Sequence, residues 1–567
     1  MKATADVVVE RDVAVPMRDG TVLRADVHRP RHGGPYPVLV QRTPYGKEVA
    51  QTVVYRHPSW YARRGYIVVV QDTRGRFGSA GVFDPFRHEA ADGADTVRWA
   101  ARLAGGTGQV ATYGFSYAGA TQLLAAAERP DGLVCTAPGF TSSDFHEGWT
   151  YTGGALNLAF VLSWTLQMLG AQDAVRDGRH ADALAVAKAA GELPGAFGRR
   201  PLAEFEELRK AGIGYFFDWL EHDTWDEYWQ AVSVRARYDR MTVPQLHFGG
   251  WYDTFVEGTL ENYARLAEQG GAVQRLVIGP WAHVPWSANI GRFDFGEEAH
   301  NTMDLAQLEW FEHWLSGRDG EPDSPPVKLF VMGANRWREA AAWPPPGTRE
   351  QRWFLHSGAN RGHGANSVSG DGVLDRHNPG DEQPDVFVSI PAIPVPSLGG
   401  RASADASIVP VGPADQRPVE ARNDVLVYTT APVTEPFEVI GTVWLTLYAA
   451  IDTPDADWMV KLVDVFPDGT AVNLCDGALR ARFSPDGPVK ADEVHTYRIK
   501  VGSTAALVAP GHRLRLEIAG SSFPLYDVNP NTGTKPSEAG AFEGRPAAQT
   551  VFHDSVRASH LTLPVSS

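Results

Sequence analysis

Short apolar runs alternate with amphipathic stretches up to about residue 143, and the alternation returns near residue 243. Pro37-Val38-Leu39-Val40, Tyr66-Ile67-Val68-Val69-Val70, Gln109-Val110-Ala111-Thr112-Tyr113 and Leu133-Val134-Cys135-Thr136-Ala137 read as buried strands. Ala90 to Leu103 sets Ala90, Ala94, Val97 and Ala101 near one face of a helix, and Thr121 to Ala127 opens another. Strands at Val243 to Phe248 and Arg275 to Ile278 follow later, then a helix from Asp304 to Leu315 and a strand from Val327 to Met332. Such alternation predicts a mostly parallel sheet covered on both faces. Ahead of it, Val7 to His28 reads as a hairpin turning at Met17-Arg18-Asp19-Gly20.

Two segments break this pattern. Between about 144 and 239 strand signals vanish, and Ala, Leu and Trp recur at helical spacing, as in Ala181 to Ala190 and Phe205 to Leu208. An insertion there that caps a site is the expectation. Beyond about 348 helix signals nearly cease. Short alternating runs (Asp424 to Tyr428, Phe437 to Leu447, Trp458 to Phe466, Tyr497 to Val501, Arg513 to Ile518, Leu561 to Val565) are separated by Gly, Pro and Asn turns. These predict a jelly-roll β-sandwich. The expected division is an α/β catalytic domain from 1–143 and 240–348, a helical cap at 144–239, and a jelly-roll domain at 349–567.

Composition narrows the function classes. The 567 residues carry 52 basic and 68 acidic side chains, a net charge of −16 with no dense basic run, so nucleic acid and anionic membrane are poor partners. No signal-like apolar core opens the chain and no 18 apolar residues run together, which predicts a cytoplasmic, soluble protein. Cys135 and Cys475 stand alone in apolar runs, read as buried thiols in a reducing compartment.

Candidate chemistry begins at Gly114-Phe115-Ser116-Tyr117-Ala118-Gly119, between a strand and a helix. A sharp strand–turn–helix lifts a serine Oγ clear of the backbone. The usual second glycine, at Ser+2, is here Ala118. About one residue in ten is Gly, so two at a fixed spacing recur by chance about six times, and the motif needs partners. A serine nucleophile requires a base, and the base a carboxylate, in the order Ser, acid, His in α/β hydrolases. Asp253 follows the strand ending at Phe248 and His283 follows the strand ending at Ile278, both at the ligand-binding edge of such a sheet. His247, His300 and His313 lie inside a strand or in and near a helix and read as packing or surface residues; Glu257 is an alternative acid that falls a turn later, already in helix, and Asp72 precedes the serine and reads as structural. His88-Glu89-Ala90-Ala91-Asp92 lacks a second His and reads as the start of a solvated helix. Gly105-Gly106-Thr107-Gly108 lacks the Lys-Ser/Thr of a phosphate loop, so neither metal nor cofactor is implied.

The chain resembles the bacterial cocaine esterase family of α/β hydrolases, related to X-prolyl dipeptidyl peptidases and α-amino acid ester hydrolases. The likeness runs through Pro16-Met17-Arg18-Asp19-Gly20, Arg42-Thr43-Pro44-Tyr45-Gly46-Lys47, Gln71-Asp72-Thr73-Arg74-Gly75, the Ser116 block, Gly250-Trp251-Tyr252-Asp253 and Gly279-Pro280-Trp281-Ala282-His283. It continues in Val395-Pro396-Ser397-Leu398-Gly399-Gly400, Gly412 to Pro418, Lys461 to Gly469 and Ser521 to Asp527. The resemblance implies Ser116 as nucleophile, His283 as general base and Asp253 as orienting acid. It implies an oxyanion hole from the Tyr117 N–H and the Tyr45 hydroxyl, an acyl pocket lined by Trp149, Trp164 and Phe255, and a glycine at Ser+3. Where the family brings an apolar pair into the pocket, this chain has Arg401-Ala402-Ser403-Ala404-Asp405, which points away from cocaine toward a smaller, more polar or differently shaped ester.

The expected activity is a serine carboxylesterase acting on small to medium, including aromatic, esters, with a small-molecule ester as partner and a homodimer compatible with it. Two rivals stand beside it: an acylase or X-prolyl peptidase, which would need an acid such as Asp144 or Glu147 for a substrate ammonium, and a non-catalytic carbohydrate-binding jelly roll.

Overall fold

A computed structural model describes residues 6–317, 324–357, 364–366, 371–402, 407–484 and 489–566. Its α/β sheet has ten strands: β1 (Val7–Pro16), β2 (Val22–Pro30), β3 (Tyr36–Thr43), β4 (Ile67–Asp72), β5 (Gly106–Phe115), β6 (Leu133–Gly139), β7 (Gln245–Tyr252), β8 (Gln274–Ala282), β9 (Val327–Val331) and β10 (Arg336–Ala340). Their spatial order is β1-β2-β4-β3-β5-β6-β7-β8-β9-β10. Pairing is parallel from β4 through β9 and antiparallel at both margins. The central strands are apolar because helices cover both faces: β4 and β7 are buried at every residue.

Helices Glu89–Ala100, Tyr117–Ala127, Val256–Gln269 and Met303–Leu315 flank this sheet. The first departs from expectation. Its opening turn is not solvated, since Glu89 and Asp92 are buried. Arg42 pairs with Glu89 at 2.6 Å and Arg74 with Asp92 at 2.6 Å, so each carboxylate is matched by a guanidinium from a neighbouring strand or loop. Residues between β6 and β7 form short helices from Leu158–Ser163 to Glu227–Gln230, preceded by a two-residue hairpin (Tyr151–Thr152, Ala155–Leu156) that no sequence signal announces.

The C-terminal part is almost wholly strands. Eleven of them join one sheet, with Phe437–Ile451 and His495–Val508 paired antiparallel over nearly their full length. Every expected strand there is present within a few residues. This sheet shares a core with the α/β sheet, in which Trp251, Ile278, Leu329 and Phe330 meet Val443, Leu445 and Val501. Backbone bonds from Met332 N to Ala505 O (2.9 Å) and from Leu507 N to Met332 O (2.8 Å) fasten the contact. Cys135 and Cys475 are both buried and free. Among the described residues no helix is long and apolar enough to cross a membrane.

Candidate active site

Ser116 sits between the end of β5 and the helix Tyr117–Ala127 with φ 62° and ψ −127°, a backbone region that costs a non-glycine residue about 1–3 kcal/mol. The neighbouring elements hold it there. Ser116 N–H donates to Gly139 O at 2.9 Å, while Ser116 O accepts from Gly119 and Ala120 N–H at 2.9 and 3.1 Å. The glycine pattern has a steric cause. A Cβ on Gly119 would lie 2.8 Å from Gly139 O and from Thr141 Cβ, and one on Gly114 would lie 2.7 Å from Ala118 Cβ. Gln51 braces the turn from the other side, donating to Phe115 O (2.9 Å) and accepting from Phe115 N–H (3.2 Å).

The three residues expected to act together lie in sequence of contact. His283 Nε2 is 3.0 Å from Ser116 Oγ, and His283 Nδ1 is 2.8 Å from Asp253 Oδ1. Asp253 is fully buried and His283 is 15% exposed in its side chain. With the carboxylate accepting from Nδ1–H, Nε2 keeps the lone pair that can take the serine proton. Phe115, Phe140 and Phe255 surround the imidazole with ring centroids 5.2–6.2 Å away, which restricts its rotation.

The two groups expected to act as donors are Tyr117 and Tyr45. Tyr117 is the first residue of its helix, so its N–H has no intrahelical acceptor. Its phenol is anchored below, donating to Glu89 Oε1 at 2.9 Å and accepting from Phe86 N–H at 3.0 Å. The Tyr45 hydroxyl accepts from Trp164 Nε1 at 2.8 Å, which leaves its own proton to donate. Burial, only partly offset by Trp164 and Ser116, pushes the Tyr45 phenol up to about 12, so it stays protonated at neutral pH. Arg76 fixes the Tyr45 turn by donating from Nε to Pro44 O at 3.0 Å.

Ser116, His283 and Tyr45 open into a cavity of about 440 Å³. Phe160, Trp164 and Met168, from the segment between β6 and β7, form one wall and Ala402 contributes from the C-terminal part. Trp149 and Phe255 stand behind it, stacked at 4.3 Å, with Trp149 set edge-on to Trp164 at 5.9 Å. Among the described residues lining the cavity, none is acidic and none is basic other than His283. Of the expected polar loop, Ser403, Ala404 and Asp405 lie outside the described residues. Arg401 is turned away from this cavity and buried, pairing with Glu257 at 2.8 Å. Asp72 accepts from Lys47 N–H at 2.6 Å and His247 lies 3.0 Å from Gln274 Oε1, both buried. Burial lowers the His247 imidazole to about 4.

The chain is 36% identical to the cocaine esterase of Rhodococcus sp. (strain MB1 Bresler), with 98% of each chain covered. It is a member of the bacterial cocaine esterase family. Residues 19–285 match the X-Pro dipeptidyl-peptidase (S15) family and residues 320–562 its C-terminal non-catalytic domain. The fold is similar to that of an aminopeptidase from the marine sediment archaeon Thaumarchaeota archaeon (TM-score 0.80, 25% identity, 99% and 97% of the two chains). An α-amino acid ester hydrolase structure aligns similarly (TM-score 0.79, 24% identity, 99% and 97%). Gln51 and the Arg42–Glu89–Tyr117 network were not expected from sequence. A buried charge pair leaves no periodic trace, although the block Arg42 to Lys47 was already marked by resemblance.

Proposed function

We propose that the protein is a serine carboxylesterase for uncharged, largely apolar esters, with Ser116 as nucleophile, His283 as general base and acid, and Asp253 as orienting carboxylate. The contact of His283 with both Ser116 Oγ and Asp253, opening into an uncharged cavity, carries the reading. Ser116 Oγ attacks the ester carbonyl as His283 Nε2 takes its proton. Tyr45 and the Tyr117 N–H donate to the oxyanion that forms. His283 then protonates the departing alcohol, and a water it deprotonates releases the acid from Ser116. The test is hydrolysis of p-nitrophenyl butyrate by wild type and Ser116→Ala, with fluorophosphonate labelling. Retained turnover or labelling in the variant sinks the proposal.

An X-prolyl peptidase must neutralise a substrate ammonium near the nucleophile, and the described cavity walls offer no carboxylate. Asp144 is already engaged by Trp225 Nε1 (2.9 Å) and the N–H groups of His146 and Glu147 (2.9 and 3.1 Å), and Glu147 lines a different cavity. This favours esters, and an Ala-Pro arylamide turned over faster than aryl butyrates would reverse the preference. The wall formed by Phe160, Trp164 and Met168 supports reading 144–239 as a cap, and the mostly antiparallel C-terminal sheet supports a jelly roll at 349–567. A cytoplasmic location is part of this proposal, testable by cell fractionation, and a homodimer is testable by sedimentation.

A further inference from the structure

A second cavity, of about 270 Å³, lies where the segment after β6, the helix Val256–Gln269 and the C-terminal sheet meet. The ester chemistry does not use it. Phe160 borders both cavities and so partitions them. Most charges around it are matched. Glu257 pairs with Arg401 at 2.8 Å and Lys500 at 2.6 Å, and Glu261 pairs with Arg235 at 2.8 Å. Arg498 lies over the Trp444 ring, 4.7 Å from its centroid.

Among the described residues, two lining carboxylates have no salt bridge: Glu147 and Asp476. The Glu147 carboxylate accepts from the Gly153 N–H, at 3.2 Å to each oxygen. Asp476 is 7% exposed, and its Oδ1 has no hydrogen-bond partner. It belongs to the strand Ala471–Arg480, where Asp476 and Ala478 share a face, and both line the cavity. Tyr526, also in the wall, feels the charge of both carboxylates. Burial raises both carboxyl groups, against the opposing pull of Lys500 and Arg235 at Glu147 and of Arg401 and Lys461 at Asp476.

We propose that this junction cavity binds a small primary ammonium compound, paired through its N–H donors with Asp476 and Glu147. A primary ammonium suits carboxylate oxygens because it brings three donors. A quaternary ammonium would need an aromatic face, and Trp444 already carries Arg498. Phe160 and Leu525 receive the hydrocarbon part, and the volume limits it to a few carbons or one ring.

The test is calorimetric titration of n-butylammonium chloride into the full-length protein, with n-butanol and tetramethylammonium chloride as controls. One saturable site for n-butylammonium is expected, with both controls weaker by about tenfold or more. Asp476→Asn and Glu147→Gln, checked for folding by their melting curves, should each weaken binding by about tenfold or more. A crystal soaked with 4-bromobenzylammonium reads the location without any variant, through the bromine anomalous signal. Bromine in the junction cavity supports the site. Bromine only elsewhere, n-butanol binding as tightly, or folded variants binding like wild type would each overturn it.

Discussion

Tyr45→Phe separates the bond that the structure shows for this hydroxyl from the catalytic role proposed for it. As an acceptor it satisfies the Trp164 indole at 2.8 Å; as a donor, in the cavity it shares with Ser116, it is proposed to meet the oxyanion. Removing one preorganised oxyanion donor costs about 2.7–4 kcal/mol of transition-state stabilisation, a fall of about 10²–10³ in kcat. The Tyr117 N–H remains, so activity should drop rather than vanish. The same change leaves the buried Trp164 N–H unpaired, a loss of about 1–3 kcal/mol of stability. Trp164→Phe in the Tyr45→Phe background removes that second defect and not the first. Steady-state p-nitrophenyl butyrate kinetics and melting curves on the wild type, both single variants and the double variant read this directly. The melting temperature should recover partly in the double variant while kcat stays low. If Tyr45→Phe keeps kcat within about threefold of wild type, or if the second substitution restores it, the oxyanion role is wrong.

Ser116→Ala should lower kcat by about 10⁶, measured by active-site titration and turnover of the same ester. Asp253→Asn should cost about 10⁴ in kcat with little change in KM, because the amide favours the wrong imidazole tautomer. Gly119→Val should fail to give soluble, active protein, since its Cβ would sit 2.8 Å from Gly139 O; solubility and circular dichroism check this. Burial works against the Glu257 carboxylate, but Lys500 and Arg401 prevail and hold it at about 2 against an ordinary 4.5. Its folded pKa is depressed, so its contribution is present above pH 4.5 and lost as pH falls toward 2. Glu257→Gln should therefore lower the melting temperature at pH 7 and much less at pH 2.5.

The α/β core was legible because buried parallel strands write continuous apolar runs, and the order Ser116, Asp253, His283 followed from which strands they terminate. Strand ends were less legible. β7 continues through Gly249 and Gly250 to Tyr252, where loop-like glycines serve close packing: a Cβ on Gly250 would lie 2.1 Å from Trp281 O. Glu89 and Asp92 were misread for a related reason. An acidic pair opening a helix looks solvated until Arg42 and Arg74, distant in sequence, are seen to cover it. Arg401 likewise reads as a pocket charge in sequence, yet Glu257 draws it to the other side of its backbone. Tyr45 carried no signal of its own beyond the family resemblance, since a phenol becomes a donor only through what accepts and orients it.

The displaced glycine of the serine turn has a local explanation that needs no reference to relatives. The helix after Ser116 presses its first turn onto the end of β6, so the residue facing Gly139 O and Thr141 must lack a Cβ, and that residue is Gly119. Position 118 faces back toward β5 instead, where Gly114 leaves room for one methyl. Ala118 is thus tolerated because Gly114 is a glycine, and the two positions are sterically coupled across the turn. The tight seat on β6 also accompanies a Tyr117 ring anchored on Glu89, with the Tyr117 N–H in the first turn of the helix and without an intrahelical acceptor. One packing contact thereby fixes both the serine and one of the two donors proposed for its oxyanion, which makes Gly119, rather than any polar neighbour, the residue on which the geometry of the turn depends.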